Sequence, residues 1–103
     1  MKVYQLAYPK PEENYLKEIV EINDKTILKM GTCFFKAGSR LPEIGLKANS
    51  ENEISIIMEG SLKAISETGE RIIQAGEILQ FKPNEMQAGE FLEDCKIIWI
   101  LME

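Results

Sequence analysis

A chain of 103 residues and 11.7 kDa, 45% hydrophobic and 28% charged, has the size and composition of one globular domain and is too apolar for a disordered acidic tail. The net charge is −5, and no basic cluster is present that could neutralise phosphates, which argues against nucleic acid as a partner. The chain contains no histidine, so any chemistry it performs works without imidazole as ligand, base or acid.

In chain order, Lys2–Leu6 reads as a short strand, followed by a polar, proline-bearing connector from Pro9 to Asn14 that belongs outside the core. The start lacks the apolar stretch of a secretory signal, and no run approaches the roughly 20 residues needed to span a bilayer. A cytoplasmic location without membrane contact is therefore the expectation. Further strands are predicted at Leu16–Ile22, Thr26–Lys36, Glu53–Met58, Leu62–Ser66, Arg71–Gln74, Glu77–Phe81 and Cys95–Met102. Asn23-Asp24, Ala37-Gly38-Ser39, Glu59-Gly60, Glu67–Glu70 and Lys82-Pro83-Asn84 supply the turns between them. The tetrapeptide Gln-Ala-Gly-Glu occurs twice, at 74–77 and 87–90, and both copies read as strand-joining turns. No segment has a helical period, so the chain is predicted to be all-β, a sandwich or small barrel in a single domain.

Cys33 and Cys95 lie within apolar runs and read as small buried hydrophobes rather than a zinc site or a disulfide. Met30, Phe35, Ile56, Met58, Phe81, Met86 and Trp99 are core candidates, any of which could line a pocket. Alternation along the fourth strand places Glu53, Ser55 and Ile57 on one face and Ile54, Ile56 and Met58 on the other.

Two stretches carry a family resemblance. Gly38-Ser39-Arg40-Leu41-Pro42-Glu43 with Lys47 to Gly60 resembles the first motif of the cupins, Glu53 and Gly60 holding the family's spacing. Gly76 to Phe91 resembles the second motif in skeleton, with Asn84 at the place of a glycine and Gln87 at the place of a histidine. The resemblance implies a double-stranded β-helix, or jelly-roll barrel, over residues 1–103. It aligns Lys47, Asn49 and Gln87 with three of the family's four metal-ligand positions, beside a retained Glu53. Sliding the first motif by one residue would place Leu46 and Ala48 there instead.

Neutral amides and an ammonium group are poor ligands for a divalent transition metal, so neither metal nor other cofactor is expected. The favoured arrangement has the Lys47 ammonium replacing the cation and pairing with Glu53, supported by the amide oxygens of Asn49 and Gln87. The alternative leaves Lys47 and Asn49 as loop residues and Glu53 on a solvated face. Three functions stay open: a metal-independent cupin binding a small polar metabolite through Lys47, Asn49, Glu53 and Gln87; an isomerase- or lyase-type enzyme using Glu53 and Lys47; and an interaction barrel that has lost its site. The resemblance also implies a homodimer, for which residues 1–15, as an N-terminal strand and connector, offer an edge-pairing segment.

Overall fold

Along Cys95–Met102 every second side chain is apolar and shielded: Cys95, Ile97 and Trp99 are buried, whereas Lys96, Ile98 and Ile100 are partly exposed. This period of two is that of a strand packed on one face. The computed structural model describes residues 7–21 and 27–102, which form nine strands and, among the described residues, no helix.

Five strands, β1 (Leu16–Glu21), β2 (Ile27–Phe35), β4 (Asn52–Glu59), β7 (Ile78–Phe81) and β9 (Cys95–Met102), make one sheet in the order β1-β2-β9-β4-β7. The remaining four, β3 (Arg40–Leu41), β5 (Ser61–Ser66), β6 (Gly69–Gln74) and β8 (Gln87–Phe91), make a second sheet in the order β3-β8-β5-β6. All pairings are antiparallel. The predicted all-β sandwich is thus the observed architecture, and the ends of β9 coincide with those read from the sequence.

Register fixes what faces inward. In the first sheet Glu53 lies opposite Leu101, Ser55 opposite Trp99 and Ile57 opposite Ile97, while β2 places Cys33 beside Ile97 and Phe35 beside Cys95. In the second sheet Leu62 lies opposite Phe91 and Ser66 opposite Gln87. The interior therefore grades from apolar at one end to polar at the other. Ile57, only 1% exposed, sits in the apolar part, where truncation to Ala would cost about 2–5 kcal/mol. Phe35 and Phe91 stack across the two sheets with ring centroids 3.9 Å apart and planes 7° from parallel.

Three readings are corrected. Gln87–Glu90 is part of strand β8, not a turn, because hydrogen-bonded neighbours on both sides, β3 and β5, hold it extended. The two-residue strand β3 was not expected. Pro9, assigned to a connector outside the core, is buried; its segment is tied to the outer face of the first sheet by the Thr32 hydroxyl, which donates to the Ala7 carbonyl at 2.6 Å. Lys2–Leu6 lies outside the described residues. Asn84 takes a positive φ of 64°, as expected of the residue standing where the motif has glycine. No helix among the described residues is long and apolar enough to cross a membrane.

Candidate functional site

The loop after β3 brings Lys47 back to the second sheet, where it pairs with Gln87 through two backbone hydrogen bonds, Lys47 N to Gln87 O at 2.9 Å and Gln87 N to Lys47 O at 2.8 Å. Two residues on, the Asn49 carbonyl accepts the Asn84 N–H at 2.7 Å. The loop is thereby fixed at the polar end of the sandwich. Glu53 enters from the opposite sheet at the start of β4, its side chain on the inner face with Ser55 and Ile57.

These elements enclose a cavity of about 360 Å³ that Lys47, Asn49, Glu53 and Gln87 all line. Its apolar walls include Ile57, Leu62, Ile97 and Trp99. The Trp99 indole N–H is already committed to the Thr32 carbonyl at 2.9 Å, so this ring offers the cavity hydrocarbon rather than a donor. Phe35 and Phe81 line it as well, as the sequence allowed. Met30, Ile56, Met58 and Met86 do not belong to its walls; Ile56 and Met58 fall on the outer face by strand alternation.

Glu53 is the electrostatic centre. Asn49 Nδ2 donates to its Oε1 at 3.0 Å, and Gln87 and Ser55 line the cavity with it. Burial raises the Glu53 pKa above the ordinary carboxylate value, with Gln87, the Lys47 charge, Asn49 and Ser55 opposing the rise. Lys47 acts through space: no ion pair within 4.0 Å joins it to Glu53. This departs from the arrangement expected from the sequence. Asn49 acts as an N–H donor to the carboxylate rather than as an oxygen supporting the ammonium, because a partly desolvated carboxylate takes a donor within reach.

Sequence reasoning missed Cys33 as a cavity residue. Its thiol lines the cavity, and burial, with the Glu53 charge as the next cause, pushes its pKa up to about 12. It is therefore a neutral group at neutral pH, without thiolate reactivity. Register with Ile97 places it on the inner face, a relation that the single strand does not reveal. Tyr15 was also missed; it lines the cavity and stacks on Phe35 at 5.0 Å.

No family profile matches the sequence, and no curated protein does. Solved structures do match. An RmlC-like cupin family protein with a double-stranded β-helix fold from Methanocaldococcus jannaschii superposes with a TM-score of 0.73 at 11% identity, over 99% of this chain and 90% of that one. This chain has the cupin fold. A cupin-2 domain containing protein from Shewanella frigidimarina matches with a TM-score of 0.67 at 20% identity, over 85% and 79% of the two chains. A DMSP lyase from Ruegeria pomeroyi matches at 0.67 and 12% identity, over 78% of this chain and 40% of that one.

The metal that the cupin resemblance implies can be tested against the side chains present. The lining offers the carboxylates of Glu18, 4.0 Å from Lys29, of Glu51, and of Glu53, which Asn49 hydrogen-bonds, beside the amides of Asn49 and Gln87 and a Lys47 ammonium without a lone pair. Among the described residues no three His, Cys, Asp or Glu side chains converge to hold an ion. The donor set does not fit a divalent transition metal.

Proposed function

We propose that this cupin binds a small polar metabolite without a metal, through Lys47, Asn49, Glu53 and Gln87. The observation that carries the reading is the convergence of these four side chains on one cavity whose lower walls are apolar. Its volume lies at the small end of the roughly 300–1,000 Å³ usual for ligand sites. An open interior lined by Lys47, Glu53 and Gln87 also speaks against a barrel filled by its own side chains. Screening a metabolite library by thermal shift on protein stripped with chelator tests the reading, because a ligand of the folded state raises its melting temperature by mass action. Stabilisation restored only by added metal would refute metal independence; the absence of any stabilising compound would refute the binding function.

One observation favours a second reading, an isomerase- or lyase-type enzyme. The half-buried Glu53 carboxyl, shifted toward neutral pH, suits a proton acceptor, with Lys47 as electrostatic stabiliser. Turnover of any stabilising ligand, lost in Glu53→Gln, would establish it; binding without turnover would leave the protein a binder.

We also propose that the chain acts as a homodimer. Ile54, Ile56, Ile98 and Ile100 lie on the outer face of the five-stranded sheet by alternation with inward Ile57, Ile97 and Trp99, and neighbouring Ile78 is 62% exposed. Such an apolar patch suits a second copy. Sedimentation equilibrium checks this: a monomer at micromolar concentration overturns it, and an Ile56→Lys change is expected to dissociate the dimer.

A further inference from the structure

Among the charged groups of the cavity, Glu18 and Lys29 approach each other at 4.0 Å. Lys47 and Glu53 differ. They line the same end from opposite sheets, close enough for the Lys47 charge to act on the Glu53 carboxyl, yet without closing an ion pair within 4.0 Å. In a partly desolvated space, two opposite charges held apart each keep an attraction for a counter-charge.

Glu53 has capacity left for one. An ionised carboxylate offers about four acceptor directions, and Asn49 Nδ2 takes one of them at 3.0 Å. The root of Lys47 is fixed by its double backbone pairing with Gln87, so its ammonium works from a defined side of the gap. Below this charged pair the walls become Leu62, Ile57 and Ile97, and the neutral Cys33 thiol adds no charge among them. Glu51, also at the lining, adds negative charge to the lining, favouring a ligand ammonium.

We propose that the cavity selects an amino-acid-like zwitterion, its ammonium on Glu53, its carboxylate on Lys47 and its apolar side chain among Leu62, Ile57 and Ile97. This deepens the small-molecule reading above and rests on it. The ligand completes the charge pairing that the protein leaves open across the two sheets. A compact amino acid suits the volume of about 360 Å³, which is small for a nucleotide-sized ligand.

The test is calorimetric titration of the full chain with leucine and phenylalanine, with leucinamide lacking the carboxylate, with N-acetyl-leucine lacking the ammonium, and with isoamyl alcohol lacking both. At least one free amino acid is expected to bind about tenfold or more tightly than either half-charged analogue, as a charge-assisted contact is lost in each. Lys47→Met is expected to erase the preference over leucinamide, and Glu53→Gln the preference over N-acetyl-leucine. Equal binding of zwitterion and half-charged analogue by the unaltered protein overturns the proposal without recourse to any variant. If none of these compounds binds while another compound from the metabolite library does, the zwitterion is wrong and the binding function stands. If nothing in either set binds, both fail.

Discussion

Gln-Ala-Gly-Glu occurs twice in this chain and adopts two different structures. At 74–77 it is a turn, closed by the Glu77 N–H on the Gln74 carbonyl at 3.0 Å and by the Glu77 carboxylate on the Gln74 N–H at 2.8 Å, with Gly76 at a φ of 91°. At 87–90 it runs along the middle of a sheet between β3 and β5, with Gly89 opposite both Leu41 and Ala64. Four residues have weak preferences of their own, and the partners available to their backbone decide between states. The difference also separates structure from function, because only the strand copy delivers a glutamine to the cavity.

Substituting each position in both copies would break this comparison, beginning with the alanines. Ala88 is 4% exposed, whereas Ala75 is exposed. Ala88→Asp is expected to destabilise by about 2–3 kcal/mol, by forcing a charge where nothing pairs with it, and Ala75→Asp by less than about 0.5 kcal/mol. Urea denaturation measures both.

The glutamines come next. Gln87→Ala removes the amide that favours the ionised Glu53 and is expected to cost about 1.5 kcal/mol at neutral pH, against less than about 0.5 kcal/mol for Gln74→Ala. It should also change the pH profile. Because burial raises the Glu53 pKa, the folded chain holds that proton more tightly than the unfolded chain. Stability therefore falls as pH rises from the ordinary value of 4.5 through the raised folded value, and the cost persists above it. Gln87 draws this carboxyl down, so Gln87→Ala is expected to raise the Glu53 pKa further and extend the fall to higher pH. An NMR titration of the Glu53 side-chain carboxyl, with denaturation midpoints across the same range, checks both effects.

The glycines should differ by about 1 kcal/mol. Gly76→Ala is expected to destabilise by about 1 kcal/mol through its left-handed backbone alone, since an added Cβ there meets no atom within 4 Å. Gly89→Ala meets the Phe91 ring at 3.4 Å and a Leu62 methyl at 3.5 Å, ordinary contact distances in an extended backbone, and should be neutral or slightly stabilising. Smallest are the glutamates. Glu90, 3.2 Å from Lys63 and 3.5 Å from Arg40, should lose more melting temperature on change to Gln than Glu77, whose turn contact a glutamine oxygen can retain. High salt should erase that difference.

The sequence made some of this legible and concealed the rest for identifiable reasons. Strand β9 could be bounded because Ile97 to Met102 run apolar without interruption behind Cys95 and Lys96, and the inward set Glu53, Ser55 and Ile57 followed from alternation once the strand was placed. Strand β8 was hidden because Gly89 carries a turn signal locally, and its strand state depends on β3 and β5, both remote in sequence. Gln87 could still be aligned through the motif. The direction of the Asn49 hydrogen bond to Glu53 could not be read, since whether an amide donates or accepts depends on which group reaches it first in space. Cys33 and Tyr15 joined the cavity through sheet register and ring stacking, relations that exist only after folding.

The Phe35–Phe91 stack gives the sandwich a mechanical character. One ring comes from each sheet, and their parallel contact pins the sheets together at the apolar end. Any widening to admit a bulkier guest must then occur as a hinge, with little travel at the pinned rings and the greatest travel at the end bearing Lys47 and Glu53. Thermal breathing of the barrel would concentrate where its charges are.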